Sequence, residues 1–466
     1  MRANLSGRST WCSRSGAAMR QLVTITILLG LAGSAQAMTP GTDVRVELQS
    51  LLDATASGGA VTLPAGEYLV TRNGSTDYGV RIPAGVTMRG APYPGTVLKQ
   101  AGGTPASVRL VRMDGAGAVL ERITLDGNAD AQTLDEHRSG VFVTAANVAI
   151  RNVTARNFTG DGLYLYAGAD GATIDDVTAT GNRRNGITLG GAMTGIAIRG
   201  GTYAGNAAQQ IDSEPGAPSH IDDVTIADVS VDTGASIQYA ITVSGTGSAS
   251  RSRNWRITGC AVIGAIHVVW ADDVVIAGNT ISNPTDSPAV DIYRTSARVT
   301  VAANFIAQNT TGLLYPSAVF ASGTGTGQMP SDILVAANTI TTASASAFGV
   351  RAMGALSVAA VGNTITGSGL PYAGSAGVYV RTTNTLVPMD LATIQGNAIT
   401  GFGERGVSVA GNDTARITML RVVGNTIGNA ATVQSVGIVA DDGLHPVQAM
   451  DVVGNSYGSG VTAGRL

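Results

Sequence analysis

One short phrase recurs at least seven times along the chain: an apolar strand, then Gly-Asn or Ala-Asn, one further residue, and usually Ile. It reads Gly278-Asn279-Thr280-Ile281, Ala303-Asn304-Phe305-Ile306, Ala337-Asn338-Thr339-Ile340 and Gly362-Asn363-Thr364-Ile365. It returns at Gly396-Asn397-Ala398-Ile399, Gly424-Asn425-Thr426-Ile427 and Gly454-Asn455-Ser456-Tyr457. Spacings of about 25 to 34 residues are those of repeat architectures. Each repeat then packs only on its neighbours, so 466 residues need not divide into several domains.

Composition agrees with short stacked strands. The chain has 62 Gly and only 13% charged residues, which suits tight turns. Its 44% hydrophobic content excludes a disordered chain.

Counting from the phrase sets the coils in register from Gly140 onward. Each opens with a small residue and an apolar one, Gln210-Ile211 being the exception at the first place. The others are Gly140-Val141, Gly162-Leu163, Gly186-Ile187, Ala240-Ile241, Ala265-Ile266, Ala289-Val290, Gly349-Val350, Gly377-Val378, Gly406-Val407 and Gly437-Ile438. The coil near Gly312 or Ala318 is ambiguous. In early coils the recurring turn residue is read as Asn152, Asp176, Gly201, Asp228 and Cys260, and it is Asn from Asn279 on. Stacked Asn side chains hydrogen-bond along a column, so the run is structural. The small Cys260 is read as a buried turn residue.

About 12 coils of three short strands imply an all-β fold, a single-stranded right-handed parallel β-helix with coils stacked roughly 4.8 Å apart. Residues 43–56 carry Val44, Leu48, Leu51 and Leu52 at helical spacing. A helix there caps the first coil, whose backbone groups are otherwise unpaired. No helix signal closes the other end, Gly458 to Leu466, so the protein is expected as a monomer or self-associating through that end.

The first 37 residues read as a secretory signal. Arg14 and Arg20 precede the apolar run Leu22 to Ala32, and Ala35-Gln36-Ala37 is a cleavage site; Met19 is an alternative start. Residues 38–466 then form the β-helix domain, exported to the periplasm or beyond. Loss of four arginines with the leader takes the formal charge from −3 to −7, which argues against a nucleic-acid partner. Cys260 is left alone, so no internal disulfide forms. No later segment is long and apolar enough for a membrane span.

Side chains alternate across a strand. If Val141, Leu163 and Ile187 point inward, an outward column runs Phe142, Tyr164, Thr188, Asp212, Thr242, His267, Asp291, an unassigned residue, Arg351, Tyr379, Ser408 and Val439. A second column, two residues on, holds Thr144, Tyr166, Gly190, Glu214, Ser244, Val269, Tyr293, Met353 and Arg381. The loops Pro215–His220 and Gly245–Asn254 wall one side of this sheet. Asp126–Arg138 and Asn182–Asn185 wall the other. The result is a groove of aromatics, carboxylates, a histidine and arginines, which suits an extended polysaccharide.

Asp212 and Glu214 lie on one strand face, with backbones roughly 6.5 to 7 Å apart. Paired carboxylates fit glycoside hydrolysis, one as acid and one as base; the competing reading is two solvated acids. His267 beside Asp291 is an acid–base pair or a surface pair. Asp161, Tyr164, Tyr166 and Tyr293 are read as substrate contacts. Arg183, Arg184, Arg294 and Arg351 are candidate carboxylate clamps. His137 and His220 flank the groove, and His445 lies far along the chain. Calcium could be held by Asp clusters such as Asp272-Asp273, but no metal or cofactor is expected.

The run Ile123-Thr124-Leu125-Asp126-Gly127-Asn128 before Ser139-Gly140-Val141, and Leu63-Pro64-Ala65-Gly66-Glu67-Tyr68 after a capping helix, resemble the pectate-lyase superfamily. The layout is similar to mannuronan epimerases. The resemblance implies polysaccharide chemistry, shared among lyases, hydrolases and epimerases. The epimerases' Asp-Pro-His-Glu motif falls on Gly162-Leu163-Tyr164-Leu165-Tyr166-Ala167, without its Asp or His, and their next-coil acid falls on Asn185. The Gly-His-Gly and Arg-Ile-Lys motifs of polygalacturonases are absent. Ile211-Asp212-Ser213-Glu214-Pro215 looks like an Ile-Asp-x-Glu-Pro phrase of secreted β-helix proteins. The leading expectation is a glycoside hydrolase. The alternatives are a lyase around Tyr164, His267 and Arg294, or a non-catalytic glycan-binding or adhesin-type β-helix.

Overall fold

The computed structural model describes residues 38–92, 95–234, 239–311, 316–324, 327–372, 374–382, 387–411, 416–428, 435–440, 447–459 and 461–462. The expected leader, His445 and residues 463–466 lie outside them.

Among the described residues the coils stack as parallel strands in two sheets, one of 15 strands and one of 29. The larger sheet turns a corner along the molecule. Val119–Asp126 shows how: its first part pairs with Thr87–Gly90 and its second with Thr96–Gln100. Each coil therefore has three sides, two in the larger sheet and one in the smaller.

The smaller sheet contains all twelve expected coil openings. Two strands precede them, Tyr78–Arg81 and Arg109–Met113, and Val461–Thr462 follows. The ambiguous coil is Ser317–Ser322, with Val319 between Val290 and Val350. Leu163, Ile187, Ile211, Ile241 and Ile266 sit in register and are fully buried. Each such side chain contributes about 1.5–3 kcal/mol through burial.

The first coil is covered by a helix at Arg45–Ala54, within the expected span. Leu48 and Leu52 lie one turn apart on its inner face and are fully buried. Among the described residues, no helix is long and apolar enough to cross a membrane.

The asparagine column is a continuous ladder. Asn304 donates its side-chain amide to Asn338 at 3.0 Å and to the Ile276 carbonyl at 2.9 Å. Asn338 repeats this with Asn363, which repeats it with Asn397. The ladder continues through Asn425 to Asn455. One expectation is corrected in the early coils. The register aligns Val153, Val177, Gly201 and Val229 with Cys260 and the later asparagines. Asn152, Asp176 and Asp228 stand one residue earlier, at φ of 52°, 52° and 57°, where later coils have Gly278 or Gly362. Asn and Asp tolerate that left-handed turn. Early Asn-Val and Asp-Val therefore match later Gly-Asn.

Candidate functional site: a groove on the smaller sheet

Strand pairing places the first outward column as expected. Tyr164 lies between Phe142 and Thr188, and Thr188 beside Asp212. Thr242 pairs with His267, His267 with Asp291, and Asp291 with Phe320, the residue the repeat left unassigned. Arg351 and Tyr379 follow. The column also extends backward through Arg112 to Arg81.

One chemical centre surrounds Arg184, on the turn before the Ile187–Gly190 strand. Its Nη1 donates to both Asp161 oxygens, at 3.0 and 2.8 Å, and to the Thr188 hydroxyl at 3.3 Å. Its Nη2 donates to both oxygens of Glu214. Burial opposes a charge on Arg184, but Asp161 and Glu214 outweigh it and raise its affinity for the proton. Asp161 is buried enough that its carboxyl rises to about 6, although Arg184 and the Asn185 backbone N–H pull the other way.

Asp212 is the most perturbed carboxyl of the three. It is 4% exposed, and burial, reinforced by Glu214 within hydrogen-bonding reach, pushes it up to about 8. Asn185 donates to it at 3.2 Å and to Thr188 at 2.9 Å. At neutral pH Asp212 therefore holds a proton beside an arginine-paired Glu214. The carboxyl groups are thus closer than the roughly 6.5–9.5 Å that separates acid and base in inverting hydrolysis.

Tyr164, Tyr166 and Phe142 form an aromatic platform beside this centre, with ring centroids 5.5 to 6.3 Å apart. Gly190 makes room for it: a Cβ there would meet the Tyr164 ring at 2.7 Å. Burial, then Tyr166 and Glu214, push the Tyr164 phenol up to about 12.

Further along, the His267 Nδ1 lies 2.9 Å from Asp291 Oδ2. Tyr239 donates its hydroxyl to the same oxygen at 3.2 Å and stacks on the imidazole at 4.3 Å between centroids. These residues line a depression of about 310 Å³ with Pro288, Tyr293, Phe320 and Ser322. Arg294 lies 4.2 Å from the Trp270 ring centre and 5.2 Å from that of Tyr293. Arg351 lies over Phe320 and Phe348.

Arg183 is the one groove candidate that faces elsewhere. It pairs with Asp130 at 2.8 Å in a different depression, lined also by Lys99, Asp126 and Asn157. His137 and His220 are exposed on loops near Glu136 and Asp222. Asp272 and Asp273 are taken up by Arg251 and Arg298. Among the described residues no acidic or histidine cluster suits a metal ion.

Sequence reasoning missed Tyr239, because the strand register shifts between Tyr239 and Ile241 and breaks the alternation. It also missed Arg81, Arg109 and Arg112. Arg109 lies over Phe142, and Asp77 pairs with both Arg109 and Arg112. Their coils precede Gly140, where the counting began.

A family described as the right-handed beta helix region matches residues 139–315. The chain has a right-handed parallel β-helix fold. It is similar to the A-module of the Azotobacter vinelandii mannuronan C-5 epimerase AlgE6, at 20% identity and TM-score 0.52, over 93% of this chain and 97% of that one. The Dettilon tailspike protein shares the fold at 13% identity and TM-score 0.52, over 81% of this chain and 67% of that one. The pre-mature bacteriophage phi29 gene product 12 does so at 12% identity and TM-score 0.51, over 92% and 72%. No curated protein matches the chain by sequence.

Proposed function

We propose that the protein is an exported carbohydrate-active enzyme that hydrolyses a polysaccharide laid along the groove, with Asp212 as proton donor. One observation carries the reading. Asp212 stands beside Thr188 in the column of the smaller sheet, is almost fully buried, and burial with Glu214 beside it pushes its carboxyl up to about 8. A general acid needs that property to protonate a glycosidic oxygen at neutral pH.

The surroundings support it. Arg184 pairs with Glu214, and burial together with that neighbouring carboxyl raises Asp212. Tyr164, Tyr166 and Phe142 offer apolar ring faces on which sugar rings stack. The mannuronan epimerase module, a polysaccharide-acting protein by its name, agrees with the substrate class. Its reaction does not carry over, because its Asp-Pro-His-Glu motif is missing from Gly162–Ala167.

Hydrolysis is favoured over β-elimination at this centre. Elimination needs a cation free to neutralise a uronate carboxylate, and Arg184 is committed to Asp161 and Glu214. One observation favours elimination: Arg294, beside the His267 depression, has no carboxylate partner among the described residues.

A panel of acidic and neutral polysaccharides, read for reducing ends and ultraviolet absorbance, tests the proposal. New reducing ends without ultraviolet absorbance, lost in Asp212→Asn, are expected. Ultraviolet-absorbing products identify a lyase. Binding without cleavage leaves a glycan-binding β-helix.

A further inference from the structure

Resting on that reading, we propose that His267 is the general base of the same reaction, with Asp291 and Tyr239 as its positioning residues. The sugar cleaved would lie over Thr242, between His267 and Asp212.

Ile211 pairs with Ile241, so Asp212 and Thr242 are neighbours, and Thr242 pairs with His267. Asp212, Thr242 and His267 thus occupy three successive rungs. At the usual strand spacing the acid and the histidine are about 9.6 Å apart at the backbone. Two rungs of separation leave room for a sugar and a water between the acid and the base, as inverting hydrolysis requires. Glu214 lacks this separation, since it lies within hydrogen-bonding reach of Asp212.

The second step is the state of the imidazole. Asp291 is 8% exposed and its Oδ2 accepts from Tyr239 while lying 2.9 Å from His267 Nδ1. A carboxylate there selects the tautomer with the proton on Nδ1 and leaves a lone pair on Nε2. The stacked Tyr239 ring, inclined by only 18°, fixes the plane of the imidazole. Three of the groups lining the depression are Tyr239, Asp291 and Tyr293, contributed by the two strands that flank the His267 strand. His137 and His220 lack any such framing, with side chains more than half exposed.

The step balances. His267 Nε2 takes a proton from water as the water oxygen bonds to the anomeric carbon. The bond to the leaving sugar breaks with its electron pair on oxygen, and that oxygen takes the Asp212 proton. Solvent then removes the proton from His267 and returns one to Asp212.

The test has two arms on the whole protein. Nitrogen NMR of ¹⁵N-histidine protein, assigned with His267→Gln, reads the tautomer without any substrate; a proton on Nδ1 is expected, and one on Nε2 would overturn the proposal. Kinetics on a glycan that the protein cleaves form the second arm. His267→Gln should lower kcat by about 100-fold or more with little change in KM. His267→Gly should regain part of the loss when imidazole is added, which a structural role would not allow. Tyr239→Phe and Asp291→Asn should lower kcat by less. Turnover in His267→Gln within about five-fold of wild type overturns this inference and leaves the Asp212 reading standing. Retained turnover in Asp212→Asn overturns the reading itself.

Discussion

Asp212 and Glu214 stand two residues apart on one strand of the smaller sheet, and burial, reinforced by the neighbouring Glu214, favours a proton on Asp212. Arg184 sets the asymmetry by taking Glu214 and Asp161 while leaving Asp212 to Asn185. Like carboxyls within hydrogen-bonding distance do not both ionise, and the more buried one stays neutral.

The first prediction concerns stability and pH. Asp212 has a folded value near 8 and Asp161 near 6, both above the ordinary aspartate range. The folded state therefore binds more protons than the unfolded state between about pH 4 and 8, so stability falls as pH rises through that window. The urea midpoint should be higher at pH 5 than at pH 8. Asp212→Asn, which cannot ionise, should flatten the dependence.

The ion pair gives a second prediction. The Asp161 side chain is 1% exposed and its charge is compensated by Arg184. Arg184→Ala would leave it uncompensated and should cost about 3–5 kcal/mol. Chemical denaturation of Arg184→Ala, with Asp161→Asn added as a second change, checks this; the double variant should recover part of the loss.

A third prediction isolates the ladder. Asn338 accepts from the Asn304 backbone and amide and donates to Asn363 and the Val301 carbonyl. Asn338→Ala leaves several buried groups unpaired and should cost about 2–4 kcal/mol. Thermal unfolding should show the loss while glycan turnover of the remaining folded protein is unchanged.

Gly190 supplies a fourth. A methyl group there would sit 2.7 Å from the Tyr164 ring and 2.8 Å from its hydroxyl, so the ring must move. Gly190→Ala should raise KM several-fold with the unfolding midpoint nearly unchanged. Tyr166→Ala should act in the same direction, through lost stacking of about 0.5–1.5 kcal/mol.

The repeat made the stacking legible because a strand column must align every coil. Val141 through Ile438 all fell into register, and with them Tyr164, Asp212, His267 and Asp291. Register did not reveal how side chains lean. Arg184 and Arg183 are sequence neighbours, yet one closes the acidic centre and the other pairs with Asp130. Tyr239 was hidden by a local register shift. The early turns were read one residue out because Asn serves two purposes, as a ladder rung at Asn279 and as a left-handed turn at Asn152.

The most direct test of the account is the pH dependence of kcat/KM for glycan cleavage by the wild type and Asp212→Asn, followed by reducing ends. The account predicts wild-type activity that falls as pH rises past about 8, where Asp212 loses its proton, and no measurable cleavage by the variant. Cleavage by Asp212→Asn with an unchanged profile would contradict it.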